Sequence, residues 1–441
     1  MSLSPETIRI QHRLAQWSQS GRKQWDLYRW LYNPFVLRDA TELVIRNAGA
    51  AGPDGQTVEW LKGKEWAMAR KLTKELRAGT YQPGAVRRVY IPKRDGRKRP
   101  LGIPNVRDRI IQRAMVLLLE PIYEQVFLPC SYGFRPKRKS VDCVAQLAEW
   151  TYARRHVLEA DIEGFFDHVS HRKLMGMLRE QIVDPRVLRL IGSILKAGFQ
   201  EWRKPWQATR QGTPQGGPLS PMLANIYLHY SLDTKLWPIL QKRNGRIQLV
   251  RFADDFVVIG QNAFDVHFVR KLLDGWMREA GLTLKASKTR CVDLSNHKRS
   301  HASKFDFLGY KFHLRAFTDN PKRFWIARQP SEKARQALRE NLKAALRPNL
   351  PVEEARQQAV LIWRGWSNYF RYGNSNRVLR REEHTVRRIF VWYLRRKYRR
   401  QKHPVPWRVL ARLVAPLTTE ARAPRCIPDL LRQRPRQLAW V

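Results

Sequence analysis

The sequence predicts an α+β fold in which helices lie behind an antiparallel sheet, followed by a region of helices alone. Between residues 156 and 281 the pattern runs strand, helix, hairpin and helix, which favours one sheet with helices packed on it. After residue 330 the pattern changes to three amphipathic segments separated by proline or Gly-Asn breaks. We therefore expect two regions that differ in secondary structure.

The N-terminal part of the chain is predicted to be mainly helical up to about residue 80, with a turn at "AGAAGPDG". Residues 86–104, "VRRVYIPKRDGRKRPLGIP", predict a strand, a basic turn at Asp95-Gly96 and a second extended segment. The stretch "RDRIIQRAMVLLLEPIYEQV" has the apolar stripe of a helix, and Pro121 predicts a kink in its middle.

The central part of the chain supplies the predicted sheet. "HVLEADIEGFF" predicts a buried strand that ends in a glycine turn, and "QLVRFADDFVVIG" predicts two apolar strands joined by a tight turn. In "SPMLANIYLHYSLD" we expect Ser220 to be the N-cap of a helix and Pro221 its first residue. A later helix ends at Gly281 and has an apolar face formed by Val266, Val269, Leu273, Trp276 and Met277.

The C-terminal part predicts three further helices, "SEKARQALRENLKAAL", "VEEARQQAVLIWRGWSNYF" and "VLRREEHTVRRIFVWYLRRKYRR". We interpret them as a separate helical domain, followed by an Arg- and Pro-rich extension. The chain is thus divided into residues 1–80, 81–325, 326–400 and 401–441.

The charge of the chain points to a polyanionic partner. Lys plus Arg is 83 and Asp plus Glu is 38, which gives a net charge of +45 in 441 residues. Such a charge repels itself unless an anion offsets it, and nucleic acid is the usual anion. A solvated basic surface or a ribosomal-type protein is an alternative, but the 16 tryptophans are unusual for that class. An anionic membrane fits less well, because basic residues occur throughout the chain.

The cysteines and the hydropathy favour an intracellular protein. The four cysteines, at positions 130, 143, 291 and 426, form no C-x-x-C pair, and a disulfide framework is unusual in a chain of this length. No apolar run is long enough to span a membrane, and the N-terminus lacks an apolar signal core. We expect a cytoplasmic, prokaryotic, nucleoid-associated protein. An organellar transit peptide is less favoured, because the N-terminal aromatic residues are typical of a packed core: Trp17, Trp25, Tyr28, Trp30 and Tyr32.

Two adjacent acids, Asp254 and Asp255, lie between apolar runs in "RFADDFVVIG". Alone, they fit an ordinary polar turn equally well. Asp161 in "EADIEGFFDH" lies at the end of a second apolar strand, so the three carboxylates can converge. Carboxylates brought together raise each other's pKa unless a cation is bound, and Mg²⁺ prefers oxygen ligands. Mg²⁺ in a polyanion-binding protein indicates a reaction that makes or breaks phosphodiester bonds.

Eight motifs, in order, extend this hypothesis: "AAGPDGQT", "YIPKRDGRKRPLGIPNVRDRIIQ", "YGFRPKRKS", "EADIEGFFDHV", "QGTPQGGPLSPMLANIYLH", "RFADDFVV", "GLTLKASKT" and "FDFLGYKF". Over residues 50–400 the sequence resembles a group II intron-encoded reverse transcriptase of the maturase type. The resemblance implies a right-hand polymerase with an N-terminal extension and fingers, an antiparallel-sheet palm and a helical thumb, the maturase or X domain. The family's usual tyrosine before Ala-Asp-Asp is Phe252 here, which removes any hydrogen bond that the hydroxyl makes.

The resemblance also implies roles for the acidic residues. Asp161 and Asp254 would bind the metal directly, with Asp255 beside them and the backbone carbonyl of Ile162 as a further ligand. These residues would hold two Mg²⁺ ions, for which Mn²⁺ can substitute. No protein nucleophile is needed, because the metals activate the primer 3′-OH and stabilise the pyrophosphate leaving group.

Six further residues are implied to bind the incoming deoxynucleoside triphosphate. Lys93 and Arg99 in the fingers would bind the triphosphate, although a solvated basic loop is the alternative. Phe166 would lie under the sugar and exclude a 2′-hydroxyl, although a core position is the alternative. Gln215 and Gly216 would border the nucleotide pocket, where glycine lets the backbone approach a ligand. Lys288 would lie near the primer end or the phosphates.

Contacts to nucleic acid are expected from basic residues outside this pocket. The candidates are Arg135, Lys137, Arg395, Arg396 and Arg399. Aromatic residues of the thumb, Trp363, Trp366, Tyr369, Phe370 and Tyr372, could stack on RNA, but their spacing also fits a core stripe. We favour the core for Trp363, Trp366 and Phe370.

The expected reaction is RNA-templated addition of deoxynucleotides to a primer 3′-OH. The expected partners are template or intron RNA, a DNA primer or target and deoxynucleoside triphosphates, with no membrane and with a homodimer left open. Because the chain has no cysteine cluster after the thumb, we expect no cleavage of target DNA by an H-N-H module. Three alternatives remain: a splicing factor with an idle polymerase site, an intron-free enzyme of DNA repair or phage defence, and an RNA polymerase.

Overall fold

The structure is a computed structural model that describes residues 3–92, 98–201, 203–295, 303–316, 320, 324–399, 406–421 and 423–424. Its α-helices are α1 (Pro5–Gln19), α2 (Leu27–Leu31), α3 (Pro34–Asn47), α4 (Glu65–Arg77), α5 (Val106–Tyr123), α6 (Ser140–Trp150), α7 (Phe165–His168), α8 (His171–Leu178), α9 (Pro185–Lys196), α10 (Ser220–Leu228), α11 (Thr234–Lys242), α12 (Ala263–Ala280), α13 (Glu332–Ala345), α14 (Val352–Phe370), α15 (Asn376–Lys397) and α16 (Trp407–Glu420). Its strands are β1 (Val86–Pro92), β2 (Lys98–Ile103), β3 (His156–Ala160), β4 (Phe199–Gln200), β5 (Ile247–Phe252), β6 (Asp255–Gly260), β7 (Arg290–Asp293), β8 (Lys304–Phe307), β9 (Tyr310–Ala316) and β10 (Phe324–Pro330).

The strands form three sheets, with orders β2-β1-β4, β5-β6-β3-β7 and β10-β9-β8. The four-stranded sheet is antiparallel throughout and has a register in which Ala160 pairs with Phe256 and Phe252 pairs with Asp255. This confirms the predicted antiparallel sheet and its Asp-containing hairpin. The predicted strand pair at residues 86–104 is also present, whereas its Asp95-Gly96 turn lies outside the described residues.

Both faces of the four-stranded sheet are buried, because successive side chains of a strand point to opposite sides. Leu158 and Val258 belong to a core shared with helices of the N-terminal and central parts. Val157 and Val257 belong to a second core, shared with β8, β9 and the helices after residue 330. The three predicted C-terminal helices are confirmed, and they bury their apolar faces in this second core.

Several local expectations change in the structure. Ser220 is the first residue of α10 rather than its N-cap, because its hydroxyl donates to the Pro214 carbonyl oxygen (2.6 Å) and accepts no helical N–H. Pro121 lies near the end of α5 rather than in its middle. The sheet β8–β10 was not predicted. No helix among the described residues is both long and apolar enough to cross a membrane.

Candidate active site

The adjacent acids lie at a tight hairpin between β5 and β6. Since Phe252 pairs with Asp255, the loop contains only Ala253 and Asp254. Ala253 has φ +57°, a left-handed conformation that costs an L-residue about 1–2 kcal/mol. Two-residue hairpins commonly require such a residue because their turn must match the twist of the strands. The apolar strands on either side therefore present Asp254 and Asp255 at the end of a rigid, buried ribbon.

Asp161 lies beside this hairpin. It follows Ala160, the last residue of β3, whose partner in β6 is Phe256, next to Asp255. Burial raises the pKa of Asp255 to about 6, and the neighbouring charges of Asp254 and Asp161 add to the effect. Burial and Asp161 likewise raise the pKa of Asp254. The three carboxylates predicted from the sequence are thus close enough to repel one another.

Two basic side chains, those of Lys288 and Arg99, lie near these carboxylates. The Nζ atom of Lys288 donates to Oδ2 of Asp161 at 2.9 Å. Positive charges on Arg99 and Lys288 oppose the rise in the pKa of Asp254. Arg99 belongs to β2, so one strand of the β2-β1-β4 sheet lies near the acidic hairpin. Lys93, the other expected fingers residue, lies outside the described residues.

The backbone of Ile162, directly after Asp161, is held by hydrogen bonds of its two neighbours. Ile162 pairs with Leu284 in an isolated antiparallel bridge. On either side, Lys285 donates to the Asp161 carbonyl oxygen (2.8 Å) and Glu163 donates to the Thr283 carbonyl oxygen (2.9 Å). Ile162 is therefore in a non-hydrogen-bonded position, and its carbonyl points away from Leu284, to the side where β6 lies.

These donors suit Mg²⁺, which prefers oxygen ligands and binds through one or two carboxylates, water and substrate phosphates. Two observations support the fit: the charges of Asp161 and Asp254 act to raise the pKa of Asp255, and a lysine ammonium is already paired with Asp161. Within the described part of the chain, no group of three or more His, Cys, Asp or Glu side chains is arranged so that it could hold a metal ion. Substrate phosphates and water would complete the coordination.

A polar cavity of about 220 Å³ lies beside Phe166 and is also lined by Arg88, Asp167, Thr213 and Gln215. The segment that contains Gln215 forms backbone hydrogen bonds both to Phe166 and to strand β2. Thr213 donates to the Phe166 carbonyl oxygen (2.8 Å), and Gly102 of β2 donates to the Gln215 carbonyl oxygen (2.6 Å). The backbones of Phe166 and β2 are thereby fixed relative to each other.

Glycines make these close approaches feasible. A Cβ atom on Gly216 would lie 2.6 Å from the Gly102 carbonyl oxygen, and Gly216 has φ +122°. A Cβ atom on Gly212 would lie 2.9 Å from the carbonyl oxygens of Phe166 and Asp167. The sequence motifs predicted a role for Gly216 but not for Gly212, although both glycines lie in the same "QGTPQGG" stretch.

Asp167 is a second residue that was not predicted from the sequence. Its Oδ1 accepts a hydrogen bond from Nε2 of Gln215 at 3.2 Å. This bond directs the Gln215 amide oxygen away from Asp167. The signal was available in the sequence, since Asp167 directly follows Phe166 in "GFFDH".

The candidate nucleic-acid contacts differ in exposure. Four of them are exposed, as contact with a nucleic-acid backbone requires: Lys137, Arg395, Arg396 and Arg399. Arg135 is buried and forms a two-pronged ion pair with Glu124 (2.9 and 3.0 Å), so the structure contradicts its expected role at the surface.

The aromatic residues of the C-terminal helices lie mainly in the core. Trp363 is 0% exposed and Phe370 is 3% exposed, and Trp366 packs partly buried against them. The core interpretation of these three residues is therefore confirmed. Phe252, which replaces the family's usual tyrosine, is partly buried against the same core.

The chain matches two known families. Residues 91–312 match the family described as reverse transcriptase (RNA-dependent DNA polymerase), and residues 334–413 match the group II intron, maturase-specific domain. The chain belongs to the group II intron reverse transcriptases. It is an RNA-directed DNA polymerase with a maturase domain. This reverse transcriptase acts on RNA and other nucleic acid, and its family generally uses divalent metal ions.

Relatives of this reverse transcriptase include Protein YkfC of Escherichia coli, which is 33% identical over 363 residues, covering 74% of this chain and 93% of YkfC. The group II intron-encoded protein LtrA of Lactococcus lactis is 39% identical over 227 residues, covering 51% of this chain but 37% of LtrA. Among solved structures, a telomerase from Candida albicans with a fragment of telomeric RNA aligns over 80% of this chain and 64% of the telomerase chain, with a TM-score of 0.44 and 13% identity.

Proposed function

We propose that this reverse transcriptase adds deoxynucleotides to a primer 3′-OH at Asp161, Asp254 and Asp255. The convergence of these three carboxylates at the end of β3 and at the β5–β6 turn carries the proposal, since Asp161 raises the pKa of Asp254, and Asp161 and Asp254 both raise the pKa of Asp255. Asp161, Asp254 and the Ile162 carbonyl would hold two Mg²⁺ ions, for which Mn²⁺ can substitute. When bound, these ions activate the 3′-OH and offset the charge on the leaving pyrophosphate.

The residues around the carboxylates suit a deoxynucleoside triphosphate. Arg99 faces the acids from β2 and would bind the triphosphate together with Lys93. Phe166 would exclude a 2′-hydroxyl, while Gln215 and Gly216 would border the sugar and base. Lys288, now paired with Asp161, would turn to the phosphates of the bound nucleotide, because triphosphate oxygens are an alternative partner for its ammonium group.

The template strand has a separate place to bind. A cavity of about 570 Å³ lies along β2 and is lined by Leu101, Gly102, Gly216, Pro218, Arg109 and the exposed ring of Phe134. Gly102 lines both cavities, so one short strand separates them. We assign this apolar-walled cavity to the base of the template that pairs with the incoming nucleotide.

The maturase domain would bind intron RNA and assist splicing and mobility. Arg395, Arg396 and Arg399 at the end of α15, together with Lys137, present exposed charge for the RNA backbone. A DNA primer or target would be the second nucleic acid. We place the enzyme in the bacterial cytoplasm near the nucleoid, where its free cysteines Cys130, Cys143 and Cys291 stay reduced; a homodimer remains open.

Primer extension on an RNA template with Mg²⁺ tests the proposal. Asp161→Ala and Asp254→Ala should each abolish deoxynucleotide incorporation, whereas Asp274→Asn, at an exposed acid on α12, should not change it. Incorporation by Asp254→Ala at the wild-type rate would contradict the site assignment. Sequencing of RNA that co-purifies with the protein, followed by a splicing assay on that RNA, separates a polymerase from a splicing factor with an idle site.

A further inference from the structure

We propose that Arg251 is a positioning residue that holds the Ala253-Asp254 turn in its active geometry. This inference rests on the proposed function of Asp254. Arg251 belongs to β5 and its side chain is 0% exposed, which is unusual for a charge two residues before an active-site turn. Its NH1 group donates to the Ala253 carbonyl oxygen at 3.0 Å, so the guanidinium holds the peptide that leads directly into Asp254.

Every N–H donor of the guanidinium has an acceptor. Besides the bond to Ala253, NH1 donates to Asn225 Oδ1 (3.0 Å) and NH2 donates to Ser131 Oγ (2.8 Å). Nε and NH2 both donate to the carboxylate of Asp233, with Nε at 2.8 Å. A planar group with five fixed donors thus ties the turn to three other residues, which a lysine ammonium with three donors cannot do.

A π-turn places two of these acceptors together. Residues His229–Asp233 continue α10 as a π-helix, which adds one residue to a turn. In a regular α-helix, positions 225 and 233 are eight residues apart and differ by about 80° around the axis. Because the π-turn accommodates one extra residue, Asn225 and Asp233 are oriented like residues seven positions apart in a regular α-helix, which lie on one face. Asn225 and Asp233 can therefore both reach Arg251.

The backbone of residues 130–133 packs against the turn from the other side. The backbone N–H of Arg251 donates to the Cys130 carbonyl oxygen, and the backbone carbonyl of Arg251 accepts from the Tyr132 N–H, both at 2.8 Å. Asn225 Nδ2 donates to the Gly133 carbonyl oxygen at 2.6 Å. A Cβ atom on Gly133 would lie 2.3 Å from the Ala253 nitrogen, so this glycine lets the segment press directly against the turn.

Charge balance explains why the guanidinium stays charged in the core. Burial acts to lower the pKa of Arg251, and the Asp233 carboxylate outweighs that effect. Removing one partner would leave a buried unpaired charge, whereas replacing both with apolar residues of similar volume is often tolerated. This difference allows the positioning role to be separated from stability.

The decisive variant is therefore Arg251→Met/Asp233→Leu, which removes the ion pair and the bond to Ala253 together. We expect a folded enzyme with a kcat about a hundredfold lower, because a displacement of about 1 Å costs that much. We also expect the Mg²⁺ concentration at half-maximal activity to rise about tenfold or more, as when a residue that orients a metal ligand is lost. The KM for deoxynucleotide should change less than kcat.

Two further variants keep the test from depending on one double substitution. Gly133→Ala leaves the guanidinium bonds in place and pushes on the turn, so it should raise the half-maximal Mg²⁺ concentration in the same direction. Arg335→Met/Glu382→Leu removes an ion pair between a partly buried arginine of α13 and a fully buried glutamate of α15 (2.7 Å) and should leave the Mg²⁺ dependence unchanged. Circular dichroism and the melting temperature report folding of all three.

Wild-type kcat and Mg²⁺ dependence in folded Arg251→Met/Asp233→Leu would overturn the proposal, as would wild-type Mg²⁺ dependence in folded Gly133→Ala. An equal shift in Arg335→Met/Glu382→Leu would also overturn it, because the shift would then reflect stability. Failure of the proposed function gives a different result: Asp254→Ala would itself retain incorporation.

Discussion

Gly212→Ala tests the contact between the segment that contains Gln215 and the backbone of Phe166. The added methyl group would lie 2.9 Å from the carbonyl oxygens of Phe166 and Asp167, and neither backbone can rotate away as a side chain can. Gly212 also has φ +86°, which costs an L-residue about 1–2 kcal/mol. Overpacking adds about 1–3 kcal/mol, so we expect a destabilisation of about 2–5 kcal/mol.

The functional consequence concerns the choice of sugar. Because Thr213 donates to the Phe166 carbonyl oxygen, moving residue 212 moves the Phe166 ring that would exclude a 2′-hydroxyl. We expect discrimination between dCTP and CTP, measured as the ratio of kcat/KM values on an RNA template, to fall at least tenfold, which corresponds to about 1.4 kcal/mol.

Gly275→Ala is the matched control for this prediction. Gly275 lies in α12, and a methyl group added there would meet no atom of the described residues within 4 Å beyond the backbone of its own helix. That variant should gain about 0.5–1 kcal/mol of stability and keep the wild-type discrimination. A folded Gly212→Ala variant that discriminates between the two nucleotides as well as the wild type does would contradict the link between residue 212 and the Phe166 ring.

Three further predictions concern stability and RNA binding. Burial lowers the pKa of His229 to about 4, below its unfolded value of about 6.5, so stability present above pH 6.5 is lost as the pH falls toward 4. Urea unfolding at pH 7 and pH 5 should show that His229→Phe removes about 2 kcal/mol of this acid sensitivity, and an unchanged sensitivity would contradict it. Trp363→Ala should cost about 3–5 kcal/mol in chemical denaturation, since the side chain is fully buried, and a loss below about 1 kcal/mol would refute its core role. Replacing Arg395, Arg396 and Arg399 with Gln should reduce the slope of log affinity for single-stranded RNA against log salt by about 2, and an unchanged slope would exclude these contacts.

The Asp-containing hairpin was predictable because its signals are local. Two continuous apolar runs joined by a two-residue turn fix β5 and β6, and the apolar run before Asp161 fixes the end of β3. The convergence of Asp161 with Asp254 then follows from antiparallel pairing. Their separate roles as metal ligands came from the family resemblance and remain predictions.

Other features depend on contacts between distant residues, which periodicity does not reveal. Lys288 and Asp161 are 127 positions apart, and Arg251 and Ser131 are 120 apart. Arg135 was expected at the surface because most arginines are exposed, but the pairing with Glu124 allows it to be buried. The β8–β10 sheet was missed because its strands are stabilised by pairing and by the second core rather than by a distinctive pattern.

Mn²⁺ binding measured by electron paramagnetic resonance tests the central claim most directly. The sample would be the protein with an RNA template, a dideoxy-terminated DNA primer and the next deoxynucleotide, so that no reaction occurs. We predict two bound Mn²⁺ ions in the wild-type complex, and at most the one carried by the nucleotide in Asp161→Asn/Asp254→Asn. Two ions bound with unchanged affinity in that double variant would contradict the claim that these carboxylates form the metal site.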